Sequence, residues 1–422
     1  MNRLLWLGAL VLVWLGVAWG YQSVYGPRVP SALPPSTASE PSPATAPRSP
    51  ATLPVLPTQV TVAAVGDVLL HGPLQRQASA RPETFQSLWS QVTPLLQQAD
   101  VAYANLEGPV AAGLSHRGKV LPDPGTVFDN VVYTSYPLFN YPTQLLRDLK
   151  ASGIDVVSTA NNHSLDRGAE GARRTIGALK EAGLPFTGTR LGREDETPWF
   201  ALTQVKGFHI AWLACSFSTN GIPDTQKQVL DCYKDKEIVL AIVRALAAQP
   251  SVSAIMVTPH WGMEYMEQPQ PQERALGRAL LDAGATAVLG SHPHVPQPWE
   301  TYTTQEGREG LIMYSLGNFV SGQFHRLHTR ASLLAWLNLE GLPGQKLRLV
   351  GASYVPLEMQ RTAAGLEVVP IADGSGNPAI MAQLVKLFGP WEKGLEFAQP
   401  LAALPNAGVD QRGQGQPQAQ HH

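Results

Sequence analysis

Gln59 to Asp67 reads QVTVAAVGD, a run of β-forming residues stopped by a glycine and an aspartate. The period then changes. Phe85, Leu88, Trp89, Val92, Leu95 and Leu96 fall at helical spacing and predict a helix over Phe85–Gln98. The alternation continues outward: strands at Val101–Ala104, Ile154–Ser158, His209–Ala214, Ala254–Thr258, Ala285–Leu289 and Leu311–Tyr314 are interleaved with helices at Pro142–Ala151, Ala169–Glu181, Lys236–Ala248 and Gln272–Asp282. Such a pattern predicts an α/β domain with a largely parallel sheet. After residue 330 strands stand alone, Ser332–Leu339 and Leu347–Tyr354, before a last helix near Ala379–Phe388.

The residues that end these strands share a chemistry. In open α/β sheets functional side chains gather at the carboxyl ends of strands. Here those ends read Gly66-Asp67, Asn105-Leu106-Glu107, Asn161-Asn162-His163, His260-Trp261-Gly262-Met263-Glu264, Ser291-His292-Pro293-His294 and Gly317-Asn318. Singly, each has an ordinary alternative as a turn or cap residue. Six strand ends bearing Asp, Glu, Asn or His together predict a metal centre. Nitrogen and oxygen donors without thiolate point to Mn, Fe, Zn or Mg, as one or two ions. Glu264 and Trp261 are taken into the site with His260, whereas His116, His325 and His328 read as surface residues. His71, four residues after Asp67, is the exception among the loop histidines.

Composition narrows the partners. The 422 residues carry 31 Lys plus Arg against 33 Asp plus Glu, a net charge of -2, so no basic footprint for nucleic acid exists. Leu4 to Tyr21 is an uncharged apolar run behind Arg3, at the border between a signal-peptide core and a membrane anchor. Residues 1–26 are therefore expected to form an apolar helix that is either retained as an anchor or cleaved. Ten prolines between Pro27 and Pro57 make residues 27–58 an extended spacer. The domain would span residues 59–400 and the Gln-, Gly- and Pro-rich residues 401–422 would be a disordered tail. Arg3 keeps the amino terminus inside, which places the domain outside the cytoplasm, tethered to the cell membrane or secreted. In that compartment Cys215 and Cys232 either close a disulfide or remain two core thiols.

Taken together, GDVLL at Gly66–Leu70, NLEGPV at Asn105–Val110, NNHSLDRG at Asn161–Gly168, HWGMEY at His260–Tyr265, GSHPHV at Gly290–Val295 and YSLGNF at Tyr314–Phe319 resemble the CapA family of poly-γ-glutamate and capsule synthesis proteins. That family is in turn similar to calcineurin-like metallophosphoesterases. The resemblance implies a two-sheet sandwich flanked by helices (α/β/β/α) and a metal site. By motif, Asp67 and His294 would serve one ion, and Asn162, His260 and His292 the other. Glu107 would bridge, and His163 would protonate the leaving group. Asn105, Asn161, Glu264 and Asn318 would support the site. Two departures stand out: Leu69 occupies the place of a phosphoesterase His, and Asn105-Leu106-Glu107 the place of its second Asp. The first position is thus one ligand short, to be completed by His71 or water, or else one ion is held. The implied activity is hydrolysis of a phosphoester in an envelope polymer. The alternative is an accessory protein that binds an anionic polymer or lipid-linked intermediate beside synthesis or export subunits.

Overall fold

The structure, a computed structural model, describes residues 56–397; the expected anchor helix, nearly all of the spacer and the tail lie outside the described residues. Strands β1 (Thr58–Leu69), β2 (Val101–Leu106), β3 (Val156–Ser158) and β4 (Phe186–Thr187) run parallel in one sheet. A second sheet takes β5 (Phe200–Val205), β6 (Phe208–Ser216), β7 (Ala254–His260), β8 (Ala287–Leu289), β9 (Pro296–Thr303) and β10 (Glu309–Leu316) in the order β5-β6-β7-β8-β10-β9. Its four central strands are parallel, and β5 and β9 are antiparallel to their neighbours. The chain then returns to the first sheet. There β11 (Asn318–Ser321) pairs with β1, and β12 (Ala331–Gly341), β13 (Arg348–Thr362) and β14 (Gly365–Pro370) extend it as an antiparallel wing, with β15 (Leu395–Glu396) on β13. The two sheets are those that the motif resemblance implies, and both are mixed rather than largely parallel.

Side-chain alternation explains the layering. In β1, Val60, Val62 and Ala64 point between the sheets, where they meet Trp212, Met256, Leu311 and Leu337. Ala63 and Val65 point the other way, toward helices α1 (Gly72–Ser79), α2 (Thr93–Leu96), α3 (Gln144–Ala151) and α4 (Gly168–Ala182). Helices α5 (Lys236–Ala248) and α6 (Pro271–Asp282) cover the second sheet, and α7 (Pro378–Phe388) closes the inter-sheet layer beside β9 and β13. The order is helix, sheet, sheet, helix. Tyr103 of β2 and Trp212 of β6 stack across the gap at 5.4 Å and 7°.

The helix expected over Phe85–Gln98 is broken into a 3-10 turn, Thr84–Leu88, and the single turn α2. Pro94 is the reason: it lacks an N–H and its ring collides with the carbonyl four residues earlier. The spacing still reported burial correctly, since Phe85, Leu88, Trp89, Val92 and Leu96 are all inside. Cys215 at the end of β6 and Cys232 are joined by a disulfide, and both are fully buried.

Candidate metal centre

Both sheets deliver the carboxyl ends of parallel strands to one place. Asp67 sits at a bulge in β1, where the pairing with β2 and β11 shifts register, and its N–H donates to Gly317 O at 3.1 Å. Gly66 is obligatory in that crossing, because a Cβ there would fall 1.9 Å from Gly317 O. Glu107 follows β2. Its N–H donates to Val68 O and its carbonyl accepts from Tyr141 Oη at 2.7 Å, so the backbone is pinned while the carboxylate projects freely.

From the second sheet, β7 ends in His260 and the segment after β8 carries His292 and His294. Ser291 bridges to His260 and keeps the two segments in register. His292 and His294 both adopt left-handed backbone, φ 102° and 59°. Such strain in residues with a side chain is characteristic of functional sites.

Three groups of potential ligand atoms lie within 4.8 Å of one another: Glu107, His260 and His292; Asp67, Glu107 and His294; and Glu264, His292 and His294. Glu107 belongs to two of them. His260 Nδ1 is held from behind by Ser291 Oγ at 2.9 Å and Asn105 Nδ2 at 3.2 Å, which turns Nε2 toward Asn162 Oδ1 at 2.9 Å and Glu107 Oε1 at 3.5 Å. His294 Nδ1 lies 3.1 Å from Asp67 Oδ2. Asn105 also donates to Asp67 Oδ1 at 2.8 Å. Both Glu107 oxygens and His292 Nδ1 are buried and have no hydrogen-bond partner among the described residues. A buried polar atom left so costs about 1–3 kcal/mol.

The charges follow from this crowding. Burial opposes ionisation of Glu107, but the facing His294 and His260 imidazoles outweigh it and hold the carboxyl well below the usual carboxylate range. Burial also works against a charged His294, yet Glu107 and Asp67 push it up to about 9. His292, buried and flanked by His260 and His294, is driven well below its ordinary value and stays neutral. His163 donates Nδ1–H to Asp166 Oδ2 at 2.8 Å, and this bond overcomes burial to raise its pKa. Phe139 stands edge-on to the His163 ring at 4.8 Å, and its N–H donates to the same Asp166 oxygen.

The sequence-predicted residues divide by role. Asp67, Glu107, Asn162, His260, His292 and His294 converge, with His163 beside them. Asn105 backs His260 and Asp67. Asn161 does not face the centre: its Nδ2 donates to Leu106 O and its Oδ1 accepts from His163 N, so it shapes the loop. Asn318 lies beneath His294, donating to its carbonyl at 3.2 Å. Glu264 is exposed at the rim. Trp261, taken into the site by its neighbours, is instead a core residue whose Nε1–H donates to Tyr314 O at 2.9 Å.

His71 stands near the short position, within electrostatic reach of His294 and Glu107. Its nitrogens enter none of the three groups, and its Nδ1 accepts from Gly322 N at 3.2 Å. Burial pushes it down to about 4. Residues to which the sequence assigned no role are Asp166, Ser291, Phe139, Tyr141 and Phe217. The first two stand inside the quoted motifs, Asp166 at i+3 from His163; the aromatic ones carry no local signal. Phe217 lies 4.4 Å from the His292 ring and lines a cleft of about 350 Å³ with Thr219, Ile222, Asp224 and Lys227.

The capsule biosynthesis protein CapA of Bacillus anthracis is 29% identical over 271 residues, 63% of this chain and 60% of that protein. The PGA biosynthesis protein CapA of Bacillus subtilis is 27% identical over 260 residues, 61% and 62% of the two chains. This chain therefore spans about three fifths of the length of the curated relatives it matches. A probable polyglutamine synthesis accessory protein of Mycobacterium tuberculosis is 25% identical over 246 residues, 55% and 59% of the two chains. Among solved structures, the NAD nucleotidase of Haemophilus influenzae aligns at a TM-score of 0.43 and 9% identity, covering 79% of this chain and 56% of that one. The strand-end motifs from β1 to the segment after β11 are the segment that the bacterial capsule synthesis protein family PGA_cap matches, residues 61–323, and with well over half of its length inside that match the chain belongs to this family.

Proposed function

We propose that this protein is a membrane-tethered, extracytoplasmic member of the capsule and poly-γ-glutamate synthesis family that acts on an anionic envelope polymer as a metal-dependent phosphoesterase-type hydrolase. The observation that carries the reading is Glu107: a fully buried carboxylate, both oxygens without a hydrogen-bond partner, shared by two groups of ligand atoms. A divalent cation fits that environment, since it satisfies the carboxylate and the unpartnered His292 nitrogen together. Asp67 and His294 would hold one ion, Asn162, His260 and His292 the other, and Glu107 would lie between them. A divalent ion held by these residues would supply charge for a phosphoryl oxygen and would lower the pKa of water toward neutral.

The chain's own groups do the rest. Asp166 fixes the tautomer and orientation of His163 and favours its protonated form, which suits a general acid for the leaving oxygen. Phe139 fixes the ring plane. Asn105 and Ser291 orient His260 from behind, the arrangement expected around a metal-binding imidazole. The test is elemental analysis of the purified full chain together with turnover of a bis-aryl phosphodiester. His292→Ala is expected to lower metal content severalfold. Metal-free wild-type protein that remains functional in cells would reject the ligand assignment.

One observation favours a second reading. His71 is engaged by Gly322 and leaves the Asp67 position with three residues, which suits an accessory protein that holds an anionic polymer or lipid-linked intermediate without cleaving it. Metal without turnover on any phosphoester, and an unchanged envelope phenotype in His163→Ala, would support that reading.

A further inference from the structure

Between β11 and β12 runs GQFHRLHTR, residues 322–330, a loop that the proposed chemistry leaves unused. It is fastened from beneath. The buried Thr329 hydroxyl lies 2.7 Å from Gln323 O and 2.8 Å from Arg326 O. Asn318 Nδ2, which also holds the His294 carbonyl, reaches Thr329 O at 3.0 Å and Gln323 Oε1 at 3.1 Å. The loop is thus anchored to the same asparagine that supports the metal centre. Its order is built in before any ligand arrives.

On the outer side the loop carries cations over rings. Arg326 lies 4.8 Å above the Tyr265 ring and His325 stands edge-on to it at 5.2 Å. Tyr265 in turn lies 6.2 Å from the His294 ring, on a left-handed backbone (φ 66°) that its N–H secures by donating to Pro293 O at 2.8 Å. Arg361 of β13 lies 4.5 Å over Phe324. Phe324 and Arg326 are two residues apart, so their Cα atoms are at most ~7 Å from each other.

The nearby carboxylates are accounted for. Glu267 pairs with His328, Glu358 pairs with Arg330, and Glu264 groups with His292 and His294. The exposed guanidinium groups of Arg326 and Arg361 meet no carboxylate among the described residues. An arginine laid over a ring keeps its planar donor fork free for carboxylate or phosphate.

We infer that loop 322–330 with Arg361 is an anion subsite, which holds an acidic stretch of the substrate chain while a neighbouring bond lies at the metal centre. This rests on the polymer-directed function proposed above. Two guanidinium groups, Arg326 on the loop and Arg361 on the adjoining strand β13, suit a chain with repeating charge better than a single small anion. The ligand is therefore a flexible polymer bearing carboxylates or phosphates at regular intervals.

The test uses the full chain, with a fluorescent γ-linked glutamate decamer and inorganic polyphosphate of similar length as probes, read by anisotropy at low and high salt. Arg326→Ala and Arg361→Ala should each weaken binding roughly tenfold, and the double variant about a hundredfold. Arg244→Ala on α5 should change nothing. Melting temperature and metal content should stay at wild-type values in all four variants. Arginine-dependent binding of the glutamate decamer alone identifies a carboxylate chain; of polyphosphate alone, a phosphate chain. Binding of both supports the subsite for either. The inference is overturned if the double variant binds as tightly as wild type, or if wild type binds neither probe below millimolar concentration. Metal content and turnover of the small phosphodiester are read on the same samples. Metal-free protein with arginine-dependent binding removes the hydrolase reading and keeps the subsite, whereas turnover with arginine-independent binding does the reverse.

Discussion

Tyr103 and Glu107 are four residues apart on one chain segment, about 13 Å at ~3.3 Å per residue, yet they live under different rules. Tyr103 is stacked on Trp212 within an apolar layer, and Trp212 satisfies its indole N–H by donating to Thr203 Oγ1 at 2.9 Å. Glu107 stands among imidazoles with neither oxygen hydrogen-bonded among the described residues. The inter-sheet layer is a continuous apolar core that holds the molecule together; the strand-end floor keeps buried polar atoms that no described residue hydrogen-bonds. Stability and function are therefore separated by a few residues along the same strands.

Mutations should respect that separation. The largest contrast is expected at His163: His163→Ala should leave the fold and metal content intact, lower stability by no more than about 1–3 kcal/mol for the partner lost to Asp166, and lower phosphodiester turnover by ~10²–10⁴. Turnover that survives would move the proton donor elsewhere. In the apolar layer, Trp212→Ala should cost about 3–5 kcal/mol of unfolding free energy by denaturant titration. A loss of metal without any loss of stability in that variant would erase the distinction between the two regions. Replacing Cys215 and Cys232 together by Ala should cost roughly 3 kcal/mol, set by the loop of 17 residues that the bond closes.

The smallest effect lies outside both regions. Glu300 of β9 pairs with Arg274 at 3.1 Å and Arg278 at 2.7 Å. Burial opposes its ionisation, but Arg278, Tyr314 and Arg274 outweigh it and lower the carboxyl below its ordinary value. Its contribution is then complete above the unfolded value of about 4.3 and is lost as pH falls through the lower folded value. Removing both arginines should lower stability by ~0.2–1 kcal/mol at neutral pH. That difference should shrink between about pH 5 and pH 3; a constant gap would deny the pairing.

The sequence displayed the site more plainly than the fold. Asp67, Glu107, Asn162, His260, His292 and His294 each follow a β-forming run, so their convergence was readable from strand ends alone. Partition into two sheets followed from the motif resemblance and not from the strand pattern, because β5, β9 and β14 have no strong alternation and their pairing is decided by distant neighbours. Pro94 broke a helix whose apolar spacing was otherwise correct. Trp261 and Asn161 show the limit of adjacency: next to His260 and Asn162 in sequence, they turn to the core and to the loop backbone. Phe139 and Tyr141 arrive from a long excursion after β2, and nothing local marks where that excursion lands.

The course of β1 has a consequence for where this domain can be divided. Residues 58–64 are zipped on one side by residues 335–341, which lie beyond the 61–323 segment that defines the family match. A fragment ended at residue 323 would keep every proposed metal ligand and still expose the flank of its central strand as unpaired N–H and C=O groups, a template for aggregation. The metal-binding unit and the folding unit of this protein therefore have different borders, and the antiparallel wing, which supplies none of the proposed metal ligands, belongs to the smallest piece that can be made on its own.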